Sequence, residues 1–296
     1  MVIATGFFDG VHLGHRFILR QLVEEARRRN DESMVVTFWP HPRNVLQDDA
    51  RNLRLLTSME EKKALIRNIG VDHIEVIPFT KEFCRLSAEE YLRDYIVGKF
   101  GGKAILVGYD NRIGSDQCTP EQTSEIARRL GLDVIRPERF VSDAGIVISS
   151  TKIRNSLQVG DIEEADSMLG YQYQLYGVVV SGNRLGHTIG FPTANMQLYE
   201  PLKLIPGNGV YLVKVETLGR VYDGMCNIGV RPTLGSGNAL TVETNIFDFN
   251  EDIYGLDIRI SFVRKIRNEV KFNDFSVLAG QLEKDRAHCR ILLREK

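Results

Sequence analysis

The sequence predicts two fold classes in one chain: a parallel α/β unit, then a small antiparallel β-barrel with a closing helix. Three observations predict it. Short β-rich runs alternate with helical patterns from residue 2 to about residue 136, the signature of parallel β-α-β units. Beyond the tyrosine-rich GYQYQLYG, strands follow one another between Gly, Asn and Pro clusters, as in small barrels. The 296 residues also reach the size, roughly 250 to 300, at which a single hydrophobic core stops growing. Domains are expected at 1–170 and 171–296.

The elements read in order as follows. VIAT is the first strand, Phe17 to Arg29 has helical apolar spacing, and MVVTF is the next strand. IEVIPF, AEEYLRDYIVGKF, KAILVGY and EQTSEIARRLG continue the alternation. Two helical stretches, near Thr151 to Gln158 and Ile162 to Leu169, lead to the boundary. LYGVVV, GVYLVKVE, YDGMCNIG, VETNIFDF and LDIRISFV then read as barrel strands. The tail from Phe275 to about Leu293, with apolar Val277, Leu278, Leu282, Ile291, Leu292 and Leu293, reads as the closing helix.

Composition narrows the function. With 38 basic and 39 acidic residues the net charge is −1, so no global field draws the chain to nucleic acid or an anionic membrane. Cys84, Cys118, Cys226 and Cys289 are dispersed and form no CxxC, which reads as a reduced, cytoplasmic protein. Apolar runs fall far short of the roughly 20 residues of a membrane helix. Small-molecule substrates are the expected partners, with neither nucleic acid nor membrane, for a monomer or weak homo-oligomer.

GFFDGVHLGH follows the first strand directly. Its glycines let backbone approach a ligand, and the following helix offers free N–H groups to a phosphate. His12 and His15 share a face if that helix starts at or before Val11. A glycine-rich turn with two surface histidines fits the segment equally well. VISSTKIRNSL, residues 147–157, places Ser149, Ser150 and Thr151 at a helix start ahead of Lys152 and Arg154. Capping requires one hydroxyl, and three followed by two cations also suit a triphosphate.

In the second half, GHTIGFPTAN joins a glycine-rich arch to Thr193 and Asn195, hard oxygen donors of the kind Mg²⁺ prefers. A plain turn-rich loop is the other reading. Glu243 sits in a strand pattern; such a carboxylate commonly faces solvent, yet a hydroxyl accepting a phosphoryl group needs a positioned base. Arg267 and Glu269 lie at a strand end in KIRNEVKF, where charges are more often solvated.

Together HLGH and ISSTKIR resemble the HxGH and ISSTxxR elements of the nucleotidyltransferase superfamily. VVTFWPHP and LVGYDNRIG further resemble the FMN-adenylylating module of bacterial FAD synthetases, and FPTAN, NIGVRPT, VETNIFDFNEDIYG and KIRNEVKF resemble the riboflavin kinase module. From Val2 to Leu293 the order of these elements resembles that of the bacterial bifunctional riboflavin kinase and FMN adenylyltransferase family. The resemblance implies a Rossmann-like α/β nucleotidyltransferase domain and a six-stranded antiparallel barrel with a C-terminal helix. It implies conversion of riboflavin to FMN and of FMN to FAD, each with ATP and Mg²⁺.

It also implies roles. His12 and His15 would contact the ATP phosphates, with Gly6, Phe7, Phe8, Asp9, Gly10 and Asp110 around the nucleotide. Ser149, Ser150, Thr151 and Arg154 would hold the leaving pyrophosphate. In the barrel, Thr193 and Asn195 would bind Mg²⁺-ATP beside Pro192, an arch with Gly182, Gly186 and Gly190 would cover the phosphates, and Glu243 would activate the ribityl 5′-hydroxyl. Arg267 and Glu269 would serve the flavin side. The chain departs from the family pattern at Ile113, where Phe is common, at His187, where Arg is common, and at Asn245, where His is common. It has no arginine in SDQCTPEQ, and the short leader common before the first strand is expected to be upstream or dispensable. The rivals are a riboflavin kinase with an impaired adenylylating domain and a flavin-binding regulator without turnover. Intact His12, His15, Arg154, Thr193, Asn195 and Glu243 argue against the regulator.

Overall fold

Burial on both faces explains why the first strands read as unbroken apolar runs. In the computed structural model, β1 (Val2–Thr5) lies between β2 (Ser33–Trp39) and β4 (Ala104–Leu106), with β3 (His73–Pro78) and β5 (Asp133–Ile135) at the edges. All neighbours are parallel, and Val2 stands opposite both Ser33 and Ala104. Ile3, Val36 and Ile105 face one helical layer through Tyr91, Leu92 and Ile96, whereas Val2, Ala4 and Val35 face Leu19, Leu22 and Val23 on the other. Such two-sided burial is characteristic of parallel sheets. Strand order 3-2-1-4-5 reverses between β1 and β4, and open sheets of this kind bind ligands at the carboxyl ends of the strands there.

The structure describes residues 1–41, 53–109, 111–138, 140–141, 147–182, 190–233, 237–272 and 274–294, the side chains of 231–233 and 237–239 excepted. α1 (Leu13–Arg28) starts earlier than the apolar spacing suggested, because His12 acts as its N-cap. α2 (Met59–Arg67), begun by a Ser58–Glu61 capping box, is an addition to the expected elements. α3 (Ala88–Tyr91) runs on as a π-helix, Leu92–Lys99, and α4 (Pro120–Arg129) starts from a Thr119 cap with Pro at its first turn.

Internal contacts divide the chain into Met1–Ser150 and Thr151–Lys296. α5 (Ser150–Val159) is followed by α6 (Ile162–Leu169), which ends on Gly170 at φ 74°. Six antiparallel strands then close a barrel in the order β10-β7-β6-β11-β8-β9. They are β6 (Gln174–Val180), β7 (Ala194–Leu198), β8 (Gly209–Thr217), β9 (Arg220–Thr233), β10 (Gly237–Ile246) and β11 (Asp257–Arg267). Closure removes the unpaired edges that an open sheet exposes. On β10, Val242, Thr244 and Ile246 are buried while Glu243 between them is half-buried, so the carboxylate belongs to the opposite face.

α7 (Phe275–Arg294) packs Cys289, Leu282, Leu292 and Leu293 against Val210, Leu212, Met225 and Phe247. Its buried stripe differs from the apolar one expected: Val277 and Ile291 are 57% and 55% exposed. Asp285, 3% exposed, takes a place in the stripe, because Arg267 of β11 donates to it through Nε at 3.0 Å and Nη2 at 2.8 Å.

Candidate active sites

The turn after β1 is held in a shape that most residues resist. Phe8, Gly10 and Val11 have φ of 51°, 80° and 36°, and for a β-branched residue such as Val11 that is strained backbone. Several contacts hold it. Gly6 N donates to Val36 O at 3.0 Å, Thr37 Oγ1 to Phe7 O at 3.2 Å, and Gly10 N to Thr57 Oγ1 at 3.2 Å. The Asp9 carboxylate accepts from Leu56 N at 3.0 Å and Thr57 N at 3.2 Å, and Ser150 Oγ donates to Asp9 O at 3.0 Å. Ser150 of ISSTKIR thereby touches the turn, while Asp9 anchors the segment entering α2.

His12 is not inside the helix, as a shared helical face would require. As N-cap its Nδ1 accepts from His15 N at 3.3 Å, and capping stacks the two rings with centroids 3.6 Å apart. A Cβ on Gly14 would meet the His12 ring at 3.3 Å, which accounts for the glycine between the histidines. Burial first, then the neighbouring His12 and Lys62, lowers the His15 pKa well below its ordinary value, so His15 is neutral at pH 7. A neutral imidazole still donates one N–H, and the open N-terminus of α1 adds backbone donors and a positive dipole end. The arrangement suits an anion.

Beside it, at the reversal of strand order, lies a cavity of about 420 Å³ whose lining includes Phe38, Phe79, Phe83 and Tyr91. Phe83 meets Tyr91 edge-on at 5.8 Å and Phe79 at 5.5 Å, and the Tyr91 hydroxyl pairs with Thr5 Oγ1 at 2.7 Å. Gly6 and Phe7 reach it from β1, and Asn111 and Ile113 from the segment after β4. An aromatic-walled slot of this size accepts a flat ring system. Sequence reading missed these aromatics because each, taken singly, reads as core. Asp110 lies outside the described residues. Ser149 precedes α5, and Thr151 and Arg154 lie on it, with Arg154 one turn beyond Ser150.

The second site is assembled by strand register. Asn195 of β7 and Asn227 of β9 are both directly opposite Glu243 of β10, so the three side chains share one face of the barrel wall. A Cβ on Gly182 would fall 2.3 Å from Asn195 Nδ2, so only glycine leaves that amide its room. Asn245 Nδ2 donates to Pro192 O at 2.8 Å and thereby holds the PTAN segment, a job for which His is not required. Thr193 lines a cavity of about 280 Å³ with Pro192, Val179 and the stretch Phe249 to Tyr254. Gly190, at φ 79°, begins this segment, and Gly186 and His187 lie outside the described residues. Glu269 accepts from Asn208 Nδ2 at 3.0 Å and lies against Gly229, where a Cβ would be 2.2 Å from its Oε1. Arg267 is committed to Asp285 and to Asn268 O. Among the described residues no group of three His, Cys, Asp or Glu side chains could hold a metal, but Mg²⁺ bound mainly through phosphates needs only one or two protein oxygens. The Thr193 hydroxyl and the Asn195 amide, kept clear by Gly182, fit that need.

Comparison with known proteins follows the same division. A family model for FAD synthetase matches residues 1–152, and one for riboflavin kinase matches residues 169–293. The bifunctional riboflavin kinase/FMN adenylyltransferase of Bacillus subtilis (strain 168) is 37% identical over 289 residues, covering 96% of this chain and 90% of that protein. The proteins of the same name from Listeria monocytogenes and Escherichia coli (strain K12) are each 36% identical, covering 98% of this chain and 91% of theirs. A crystal structure described as a macrolide-efflux protein from Streptococcus pneumoniae superposes with a TM-score of 0.88 at 33% identity, over 98% of this chain and 93% of that one. No helix among the described residues is long and apolar enough to cross a membrane.

Proposed function

The chain belongs to the bifunctional riboflavin kinase/FMN adenylyltransferase family, and from that premise we propose which residues carry each of its two ATP-dependent steps. Its activities are phosphorylation of riboflavin to FMN and adenylylation of FMN to FAD with release of pyrophosphate. One observation supports the residue assignment above the others: a glycine kept clear beside a candidate side chain, Gly14 at His12 and Gly182 at Asn195, occurs within each of the two stretches matched by the two family models.

For adenylylation, the flavin ring of FMN occupies the slot of Phe38, Phe79, Phe83 and Tyr91. The triphosphate lies at the N-terminus of α1, with Gly6, Phe7, Phe8 and Gly10 shaping the approach and Asp9 holding the turn. A phosphate oxygen of FMN attacks the α-phosphorus, and the bond to pyrophosphate breaks. His12 and His15 donate to the charge that develops, and Ser149, Ser150, Thr151, Arg154 and Asp110 complete the nucleotide and pyrophosphate contacts. Positioning and preorganised donors carry such chemistry without a covalent intermediate.

For phosphorylation, Glu243 takes the proton of the ribityl 5′-hydroxyl as it attacks the γ-phosphorus, and the bond from that phosphorus to the bridging oxygen breaks to release ADP. Asn195 and Asn227, in register on either side, fix the carboxylate's surroundings. Thr193 and Asn195 would hold Mg²⁺, which would neutralise phosphate charge, and the stretch that runs from Gly182 through Gly186 to Gly190 and Pro192 is the one assigned to cover the nucleotide. Glu269 serves the flavin side, and Arg267 serves it indirectly by fixing Asp285 and α7. The boundary between the functions falls at 170/171, which the start of the riboflavin kinase match at residue 169 and of β6 at Gln174 supports. The four free cysteines support a cytoplasmic protein, and the near-neutral charge supports one without nucleic-acid or membrane partners, as a monomer or weak homo-oligomer.

The test is a time course with riboflavin, ATP and Mg²⁺, resolved by chromatography. FMN should appear first and FAD after it. FMN that accumulates without FAD would instead favour the kinase with an impaired first domain.

A further inference from the structure

We propose that Lys62 is a positioning residue for the adenylylation step: a buried cation beneath the GFFDG turn that presents positive charge toward the phosphate chain. The inference rests on the placement of ATP at the N-terminus of α1.

Lys62 and Lys63 are neighbours on α2 and contrast sharply. Lys63 pairs with Glu60 at 3.3 Å near the surface, whereas Lys62 is 1% exposed. Its ammonium lies 3.6 Å from the Phe7 ring centroid, and among the described residues Nζ has no hydrogen-bond partner. An ammonium buried over an aromatic face gains a cation–π contact but forgoes the hydrogen bonds that ordinarily offset its desolvation. His15 Nδ1 is likewise buried without a partner. Two such atoms on the two elements flanking one strained turn make a polar spot that a ligand can complete.

Among the described residues the charged and titratable groups around Lys62 include Asp9 in the turn, His15 on α1, the cap residue His12 stacked on His15, and His41, whose ring centroid lies 4.0 Å from that of Phe7. The Asp9 carboxylate is held by Leu56 N, Thr57 N and Thr57 Oγ1, so it accompanies the ammonium without hydrogen-bonding it. Burial lowers the Lys62 pKa to about 8, with Asp9 opposing the fall. The positive charge in turn depresses His15 further. Lys62 transfers no proton and forms no bond in the reaction; its charge acts on groups already in place, as pyrophosphate departs with more negative charge than it carried in ATP. A residue needed only to fill space beneath Phe7 would have no such signature, since Met fills the same volume.

The test is the pH profile of kcat/KM for ATP in the conversion of supplied FMN to FAD, with circular dichroism and thermal unfolding of the same preparations as the measure of folding and riboflavin phosphorylation as the control for protein concentration. The wild-type rate should fall as pH rises through about 8, where Lys62 loses its charge. Lys62→Met should lower kcat/KM for ATP roughly tenfold to a hundredfold, as loss of a preorganised charge does, without the alkaline fall and with the acid limb moved to higher pH. Lys62→Arg, which cannot discharge in this range, should retain FAD formation and lose the alkaline fall. A Lys62→Met protein with the wild-type rate, or with both wild-type limbs whatever its rate, overturns the proposal, as does an alkaline fall that persists in Lys62→Arg. His15→Ala separates the two levels: if it leaves FAD formation intact, the placement of ATP is wrong. If it abolishes FAD formation while Lys62→Met does not, only the role of Lys62 is wrong.

Discussion

The two sites of this chain are built by opposite means. In the first unit a contiguous stretch, Gly6 to His15, bends through strained backbone into the start of a helix, and its donors come from consecutive residues. In the second, Asn195, Glu243 and Asn227 come from three strands and meet only because the barrel's register sets them opposite one another. A phosphate site at the end of a parallel strand depends on local backbone shape, whereas a site on a barrel wall depends on long-range pairing. Substitutions should therefore fail differently in the two.

His15→Ala should break the first site most deeply. FAD formation from supplied FMN is expected to fall by roughly 10²- to 10³-fold, the usual cost of a lost preorganised donor, with riboflavin phosphorylation unchanged in the same assay. Gly182→Ala probes the second site through packing alone. Its Cβ would sit 2.3 Å from Asn195 Nδ2, and the shift of about 1 Å that relieves the overlap is expected to slow FMN formation by up to roughly a hundredfold. Adenylylation should keep its rate, and an unaffected kinase would show that Asn195 does not need its present position.

A subtler distinction concerns the joint between the barrel and α7. Asp285→Asn leaves the Arg267 guanidinium facing a neutral amide, and breaking a buried pair costs about 3 to 5 kcal/mol. Arg267 retains 20% side-chain exposure, so the lower end is expected. Thermal unfolding should show a loss confined to the kinase step, with FAD formation surviving to its usual temperature. The smallest effect is one of pH. Because burial and neighbouring charges keep the His15 pKa well below 6.5, the imidazole stays neutral as pH falls through that value. FAD formation should be level between pH 7 and 6, and a fall with a midpoint near 6.5 would show an ordinary, exposed histidine.

The same contrast decided what could be read in advance. HLGH and its glycines were legible because the motif is contiguous, and the strand alternation of the first unit was legible because its central strands β1, β2 and β4 are buried on both faces, whereas the half-exposed edge strand β5 went unread. Glu243 was legible as a candidate, but its partner Asn227 was not, since register is invisible in a linear pattern. β7 went unread because its first residues are the end of PTAN, whose turn-rich flank masks a strand. Lys62 sits in MEEKKALIR, which has the polar look of a solvated helix and gives no sign that one of its two lysines is buried. The slot of Phe38, Phe79, Phe83 and Tyr91 draws on separate segments whose aromatics are indistinguishable from core until the fold turns them to one cavity.

The most direct test of two separately built sites is Glu243→Gln, offered riboflavin in one assay and FMN in another, with ATP and Mg²⁺ in both. Removal of a general base costs roughly 10²- to 10⁴-fold, so riboflavin should remain unphosphorylated while FMN is converted to FAD at the wild-type rate. Loss of both conversions, or of neither, would contradict the account.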